Sequence, residues 1–311
     1  MGKQGKTEQH NRLVRTHVNN WAGRLLRLAG ADITTTGKEN IPQGPVVFVA
    51  NHQGYFDIPL MLTQLDKPNP LVAKKEIQKT QVFNVIILDR SGSMGCIRRA
   101  AVDGFNETLA GIKKAQEKFA DTQDHFVSLE TFCSCETKHL YDNTPVAEAN
   151  PLKIEDFQPC CSTPLYDAMG FTLTRMHRHV QGLPDAMVVV TIITDGMENA
   201  SREYNGKSIK ELVERLRGEG WSFTYMGANQ DSVEVAMSMS IRNARNFDYS
   251  DVGTRASMEK DCNTRMNLFS RLAKQKADEM NDCCAAPASE ADRRNLYASM
   301  ANEAFDEEEG K

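Results

Sequence analysis

Val82-Phe-Asn-Val-Ile-Ile-Leu88, running into Asp89-Arg-Ser-Gly-Ser-Met94, is the stretch that decides the fold. The first seven residues are β-branched or apolar on both period-two faces, with Asn84 the one exception. That is the pattern of a strand covered on both sides, as in a parallel sheet. The run then breaks into a carboxylate and two hydroxyls, so the strand ends in a polar loop. A long helix is expected from there to about Phe119. Further along, His125–Cys133 and Thr137–Tyr141 read as a pair of strands, and Pro164–Val180 as a helix. Ala186–Thr194 is a strand, Ser208–Arg217 a helix and Trp221–Gly227 a strand. Ser232–Ser240, Ala244–Tyr249 and Gly253 to about Asp278 follow as helix, short strand and helix. Strands alternating with helices imply an α/β fold with a doubly wound, mostly parallel sheet over residues 81–280.

In such sheets ligands bind beyond the carboxyl ends of the strands, where the strand order reverses. Three polar loops are expected there. Asp89-x-Ser91-x-Ser93 follows the first strand, Ser162-Thr163-Pro-Leu-Tyr-Asp167 opens a helix, and Thr194-Asp195-Gly196 ends the strand Val188–Ile193. Two carboxylates and three hydroxyls are hard oxygen donors of the kind that suit Mg2+. These three motifs resemble the von Willebrand factor A family and its metal-ion-dependent adhesion site. Asp89, Ser91, Ser93, Thr163 and Asp195 match the family pattern, and stretches such as Gly227-Ala-Asn-Gln-Asp231 look like small cytosolic bacterial members. The resemblance implies a Rossmann-like fold over about residues 82–275. It also implies a bound Mg2+, with Mn2+ or Ca2+ as substitutes. Ser91, Ser93 and Thr163 would contact the cation, the aspartates would act largely through water, and a protein partner's Asp or Glu would fill the open position. No nucleophile–base pair accompanies these motifs, so binding is expected rather than catalysis.

Residues 1–80 read differently. His10 to Gly30 forms an amphipathic helix, with Leu13, Val14, Val18, Trp21, Leu25, Leu26 and Leu28 as its stripe, arginines around it and Gly30 as its cap. It suits either an anionic membrane surface or packing on its own domain. Asp32–Thr36, Val46–Ala50 and Leu71–Ala73 are expected as short strands, and Pro59 opens a helix reaching about Leu65. Asn51-His52-x4-Asp57 lies between strand and helix, and a histidine beside a carboxylate can take a hydroxyl proton. With Gly37–Pro45 before it and Val72–Glu76 after it, this motif resembles the 1-acylglycerol-3-phosphate acyltransferases. There His52 would deprotonate the lysophosphatidate hydroxyl and Asp57 would support it. The resemblance covers about residues 12–79. Where that family continues with a Phe-Pro-Glu-Gly block and phosphate-holding arginines, this chain enters the strand at Val82. The segment is therefore expected to be an incomplete acyltransferase-like unit, with acyltransferase activity as the alternative function.

Composition sets the outer bounds. The 311 residues are 40% hydrophobic and 25% charged, which is ordinary for a soluble globular protein. Length alone suggests two domains. The formal net charge of -5 argues against a nucleic-acid partner. It hides an asymmetry: residues 1–80 carry 11 Lys+Arg and 6 Asp+Glu, the remainder 26 and 36. No signal-peptide pattern opens the chain and no apolar run approaches ~18 residues. A cytoplasmic protein is expected, peripheral to the inner membrane face through residues 10–30. The eight cysteines are then reduced thiols. Cys133-Ser-Cys135 with Cys160-Cys161 lacks the C-x2-C spacing of zinc sites, so small buried side chains at strand ends are expected instead. Residues 281–311 are expected as an acidic flexible tail.

Overall fold

The computed structural model describes residues 16–42, 57–65, 79–183, 185–227, 232–246, 251–281 and 289–309. The chain divides into two compact units, Met1–Ile77 with Glu279–Ala286, and Gln78–Asp278 with Pro287–Lys311.

In the first unit a helix (α1) spans residues 16–28. Gly30 ends it at φ +69, and the N–H groups of Gly30 and Ala31 donate to the Arg27 and Leu26 carbonyls. This is the left-handed helix cap that glycine adopts without strain. The expected stripe splits: Leu26 is buried, with Ala22 from outside the stripe, whereas Trp21 and Leu28 are 58% and 89% exposed. Asp32–Thr36 is not a strand. An extended segment needs a neighbour for its backbone groups, and the described residues of this unit contain none. Instead the Thr35 hydroxyl donates to Gln64 Oε1 at 2.9 Å. Gln64 ends α2 (Asp57–Gln64), whose third residue, Pro59, sits where a first-turn proline loses no hydrogen bond. The expected strands at 46–50 and 71–73 lie outside the described residues.

The second unit is built on six strands: β1 (Thr80–Asp89), β2 (Gln123–Cys133), β3 (Glu136–Pro145), β4 (Ala186–Thr194), β5 (Ser222–Gly227) and β6 (Asn243–Asn246). Their order is β3-β2-β1-β4-β5-β6, and only β3 runs antiparallel to its neighbour. The helices are α3 (Arg98–Lys118), α4 (Leu165–Val180), α5 (Gly206–Gly218), α6 (Ser232–Ser238), α7 (Asp251–Asn281) and α8 (Glu290–Glu309). β1 lies at the centre, and its side chains alternate between two cores. Phe83, Val85 and Ile87 pack with Leu165, Met169 and Leu173 of α4 and Ile209 and Val213 of α5. Ile86 and Leu88 pack with Phe105, Leu109 and Ile112 of α3. Val82 joins a third cluster with Leu268, Phe269 and Leu272 of α7. A sheet covered on both faces explains the near-continuous apolar run. Asn84 is tolerated because its amide donates to the Phe126 carbonyl and its Oδ1 accepts from buried Arg265, itself paired with Asp261 at 2.7 Å.

The C-terminal segment corrects the sequence expectation. Residues 289–309 belong to the second unit, and Tyr297, Ala301 and Ala304 of α8 are buried with Val82, Met187 and Val189. The Tyr297 hydroxyl and Lys276 both bond to buried Asp185. An acidic composition did not prevent burial, because one helical face is made of small and aromatic residues.

Candidate metal centre

β1 and β4 are parallel neighbours paired as far as Leu88↔Ile193, so their polar C-terminal loops lie side by side. Asp89, the last residue of β1, is fully buried. Its Oδ1 accepts the Ser91 N–H at 2.7 Å and its Oδ2 the Thr194 hydroxyl at 2.6 Å. The Ser91 and Ser93 hydroxyls are 3.2 Å apart, and Ser93 donates to Asp195 Oδ1 at 2.8 Å. Thr163, nearly buried, arrives on the loop before α4. Its N–H donates to Asn199 Oδ1 at 2.9 Å, and the Asn199 N–H returns a bond to the Thr163 carbonyl at 3.1 Å. All five residues named from the sequence are thus brought to one end of the sheet.

Gly196 shows how closely they converge. A Cβ at that position would lie 3.2 Å from Thr163 Oγ1, 3.6 Å from Ser93 Oγ and 3.9 Å from Asp89 Oδ2. Oxygens from three loops therefore face one small space that glycine leaves open. Ser93 is the exposed edge of that space. Burial pushes the Asp89 carboxyl up to about 6, against the hydrogen bonds from Thr194 and Ser91. Burial also raises Asp195, with the Ser93 bond opposing it. Among the described residues no cationic side chain pairs with Asp89. Two close, desolvated carboxylates with three hydroxyls fit a hard divalent cation, which would hold both charged.

Four further residues hold the loops in place, and the sequence reading missed their roles. Thr194 fixes Asp89, and Asn199 fixes Thr163. Glu198 Oε1 accepts the N–H groups of Ala200 and Ser201, while its Oε2 accepts the Tyr166 N–H at 2.9 Å. Asp167 accepts the N–H groups of Arg202, Glu203 and Tyr204 at 2.7–2.9 Å. Both acids use their oxygens on backbone donors and so staple loop 197–204 onto the start of α4. The available signal was their position in, or within three residues of, the two polar loops Ser162–Asp167 and Thr194–Gly196.

The cysteine expectation holds for Cys133, which is buried, and fails for Cys135 and Cys161, which are exposed. His52 lies outside the described residues. Asp57 is the half-buried first residue of α2.

Sheet and site together define a doubly wound α/β domain with an oxygen-donor cluster where its strand order reverses. A family model described as Acyltransferase matches residues 32–133. The match extends past the residues 12–79 to which the sequence reading confined that resemblance, through β1, α3 and β2. A strand–helix–strand unit with buried apolar strands is common to many α/β sheets. The 1-acyl-sn-glycerol-3-phosphate acyltransferase of Saccharomyces cerevisiae is 32% identical over 95 residues, 28% of this chain. The chain spans 29% of the length of that relative. Among solved structures, proximal thread matrix protein 1 from the mussel byssus is 16% identical over 60% of this chain and 46% of its own, at a TM-score of 0.41. The manganese-loaded TRAP protein of Plasmodium vivax is 14% identical over 56% and 71%, at 0.39. The SpRpn10 VWA domain is 11% identical over 58% and 94%, at 0.41.

Proposed function

We propose that residues 81–280 form a divalent-metal-dependent protein-binding module of the von Willebrand factor A kind. The observation that carries this reading is the convergence of Asp89, Ser91, Ser93, Thr163 and Asp195 on the space left by Gly196. In it the three hydroxyls ligate Mg2+, or Mn2+ or Ca2+ in its place, and the two carboxylates balance its charge. A bound cation supplies a Lewis-acidic position for a carboxylate, so the partner offers an exposed Asp or Glu. Residues 81–311 carry 26 basic and 36 acidic side chains, which repels a broadly acidic protein at long range. The partner's contact surface is otherwise neutral or basic.

Thermal melts of the full chain test the metal. Millimolar Mg2+ raises the melting temperature by mass action on the folded state, and Asp89→Ala removes the rise. Equal melting with and without Mg2+ contradicts the reading.

A second reading, 1-acylglycerol-3-phosphate acyltransferase, is favoured by the family match at residues 32–133 and the yeast relative. In that reading His52 is the general base and Asp57 its support. The exposed Trp21 and Leu28, with Arg24 and Arg27 exposed beside them, support a place at the cytoplasmic face of the inner membrane. Purified protein given lysophosphatidate and an acyl thioester decides between the two. The binding-module reading predicts no turnover; turnover that disappears in His52→Ala establishes the enzyme.

A further inference from the structure

Around the side chain of Arg90, the residue after Asp89, three thiols crowd together. The sulfurs of Cys133, Cys135 and Cys160 all lie within 4.8 Å of one another, and Cys133 and Cys160 are 3.4 Å apart and not bonded. A tetrahedral zinc–thiolate centre, with bonds of about 2.3 Å, places its sulfurs about 3.8 Å apart. Cys161 follows Cys160 directly in the chain and supplies an exposed fourth thiol.

Backbone geometry, not chance rotamers, brings these groups together. Cys133 ends β2 and Cys135 is the second residue of the two-residue turn into β3, across which Cys133 pairs with Glu136. The loop carrying Cys160 and Cys161 is tied on both sides. The Cys160 N–H donates to the Arg90 carbonyl and the Gly92 N–H to the Cys161 carbonyl, each at 2.9 Å. Ser134 and Ser162 exchange two further bonds, N–H to carbonyl at 2.9 Å and N–H to hydroxyl at 3.1 Å. Cys161 is held at φ +63, a conformation costly for a residue with a Cβ.

A buried cation faces the sulfurs. The Arg90 side chain is almost fully buried, and its guanidinium donates to Cys133 Sγ at 3.3 Å and Cys160 Sγ at 3.8 Å. Its nearest carboxylate is Glu136, at 3.5 Å. A buried cation aimed at sulfur is the outer-shell donor that metal–thiolate centres use.

We propose that Cys133, Cys135 and Cys160, completed by Cys161, form a second metal site that takes a thiophilic ion, Zn2+, and is chemically distinct from the oxygen cluster. Thiolates select soft and borderline metals, whereas hydroxyls and carboxylates select hard ones. On binding, the thiols release their protons to solvent and no redox change occurs. The ion would cross-link the turn after β2 to loop 158–163, and so brace the loop that carries Thr163.

The test uses the full chain, purified under reducing conditions, with zinc analysis and Co2+ substitution. The expected result is about one Zn2+ per chain, and intense cobalt–thiolate absorption after exchange. Cys135→Ser, at an exposed turn, and Cys160→Ser lose both the zinc and the absorption while far-UV circular dichroism is unchanged. Thr163→Ala, which removes an oxygen donor only, keeps both. The proposal is overturned if the reduced protein carries no zinc and forms no cobalt–thiolate band. It also fails if the band survives in both Cys variants, if Thr163→Ala abolishes it, or if alkylation in fresh lysate shows Cys133 and Cys160 joined as a disulfide.

Discussion

The absence of one methyl group, at Gly196, keeps open the space between the oxygen donors. A Cβ there would stand 3.2 Å from Thr163 Oγ1, in the space on which the donors converge. Gly196→Ala should change metal-free stability by less than about 1 kcal/mol and strongly reduce the Mg2+-induced rise in melting temperature. A full Mg2+ response in this variant would show that the ion sits elsewhere. His125 makes a separate prediction. It is 2% exposed, its Nε2 lies 2.9 Å from Gln123 Oε1, and the Phe269 ring meets it edge-on. Burial pushes its pKa down to about 4, with Asp124 opposing weakly. The unfolded chain therefore takes up this proton below its usual pKa of about 6.5, while the folded chain refuses it until about pH 4. The stabilisation is complete above pH 6.5 and is lost on acidification, by about 3 kcal/mol at most. Asp89, pushed up by burial, gives the opposite slope in metal-free protein, with stability lost as pH rises toward about 6. Denaturant titrations of wild type and His125→Gln at several pH values isolate the histidine, since only the variant should lack the acid-side loss. At this scale Asp89, Ser91, Ser93, Thr163 and Asp195 were legible, because donor chemistry and strand ends coincide. Thr194, Glu198 and Asp167 were not, since their partners are backbone groups or residues brought near only by folding.

Elements were legible where one physical signal dominated. β1 and β4 followed from near-continuous apolar runs that a doubly covered sheet demands. α5 followed from its periodic face, and Asn205 with Ser208 closes its capping box. Asp32–Thr36 had strand composition without a partner, and composition cannot supply one. The packing of α7 and α8 was hidden for another reason. Their contacts with the sheet and its edge include Arg265, itself paired with Asp261, on Asn84 and Thr191, and Lys276 and the Tyr297 hydroxyl on Asp185 just before β4. Buried ion pairs read as surface in a hydropathy pattern. Tyr297→Ala removes a buried ring and a partner of Asp185, and should cost roughly 3–5 kcal/mol by denaturant unfolding. A loss under about 1 kcal/mol would return α8 to the flexible tail expected from its composition.

For the whole molecule, charge and topology point to the same division of labour. A basic segment of 80 residues precedes a longer acidic one, and the two compact units meet in sequence between Ile77 and Gln78. The six-stranded sheet places its oxygen donors at the reversal point, where a doubly wound fold presents ligands. The central claim is that this cluster recognises a protein through a metal ion. Capture from native lysate tests it most directly, with full-length wild type and Thr163→Ala as baits, each with Mg2+ present and omitted. Thr163→Ala leaves the cysteine cluster untouched, so any difference belongs to the oxygen site. The account predicts a protein retained by wild type in Mg2+ alone, released when Mg2+ is withdrawn, and never retained by Thr163→Ala. The same set of captured proteins in all four conditions would contradict it.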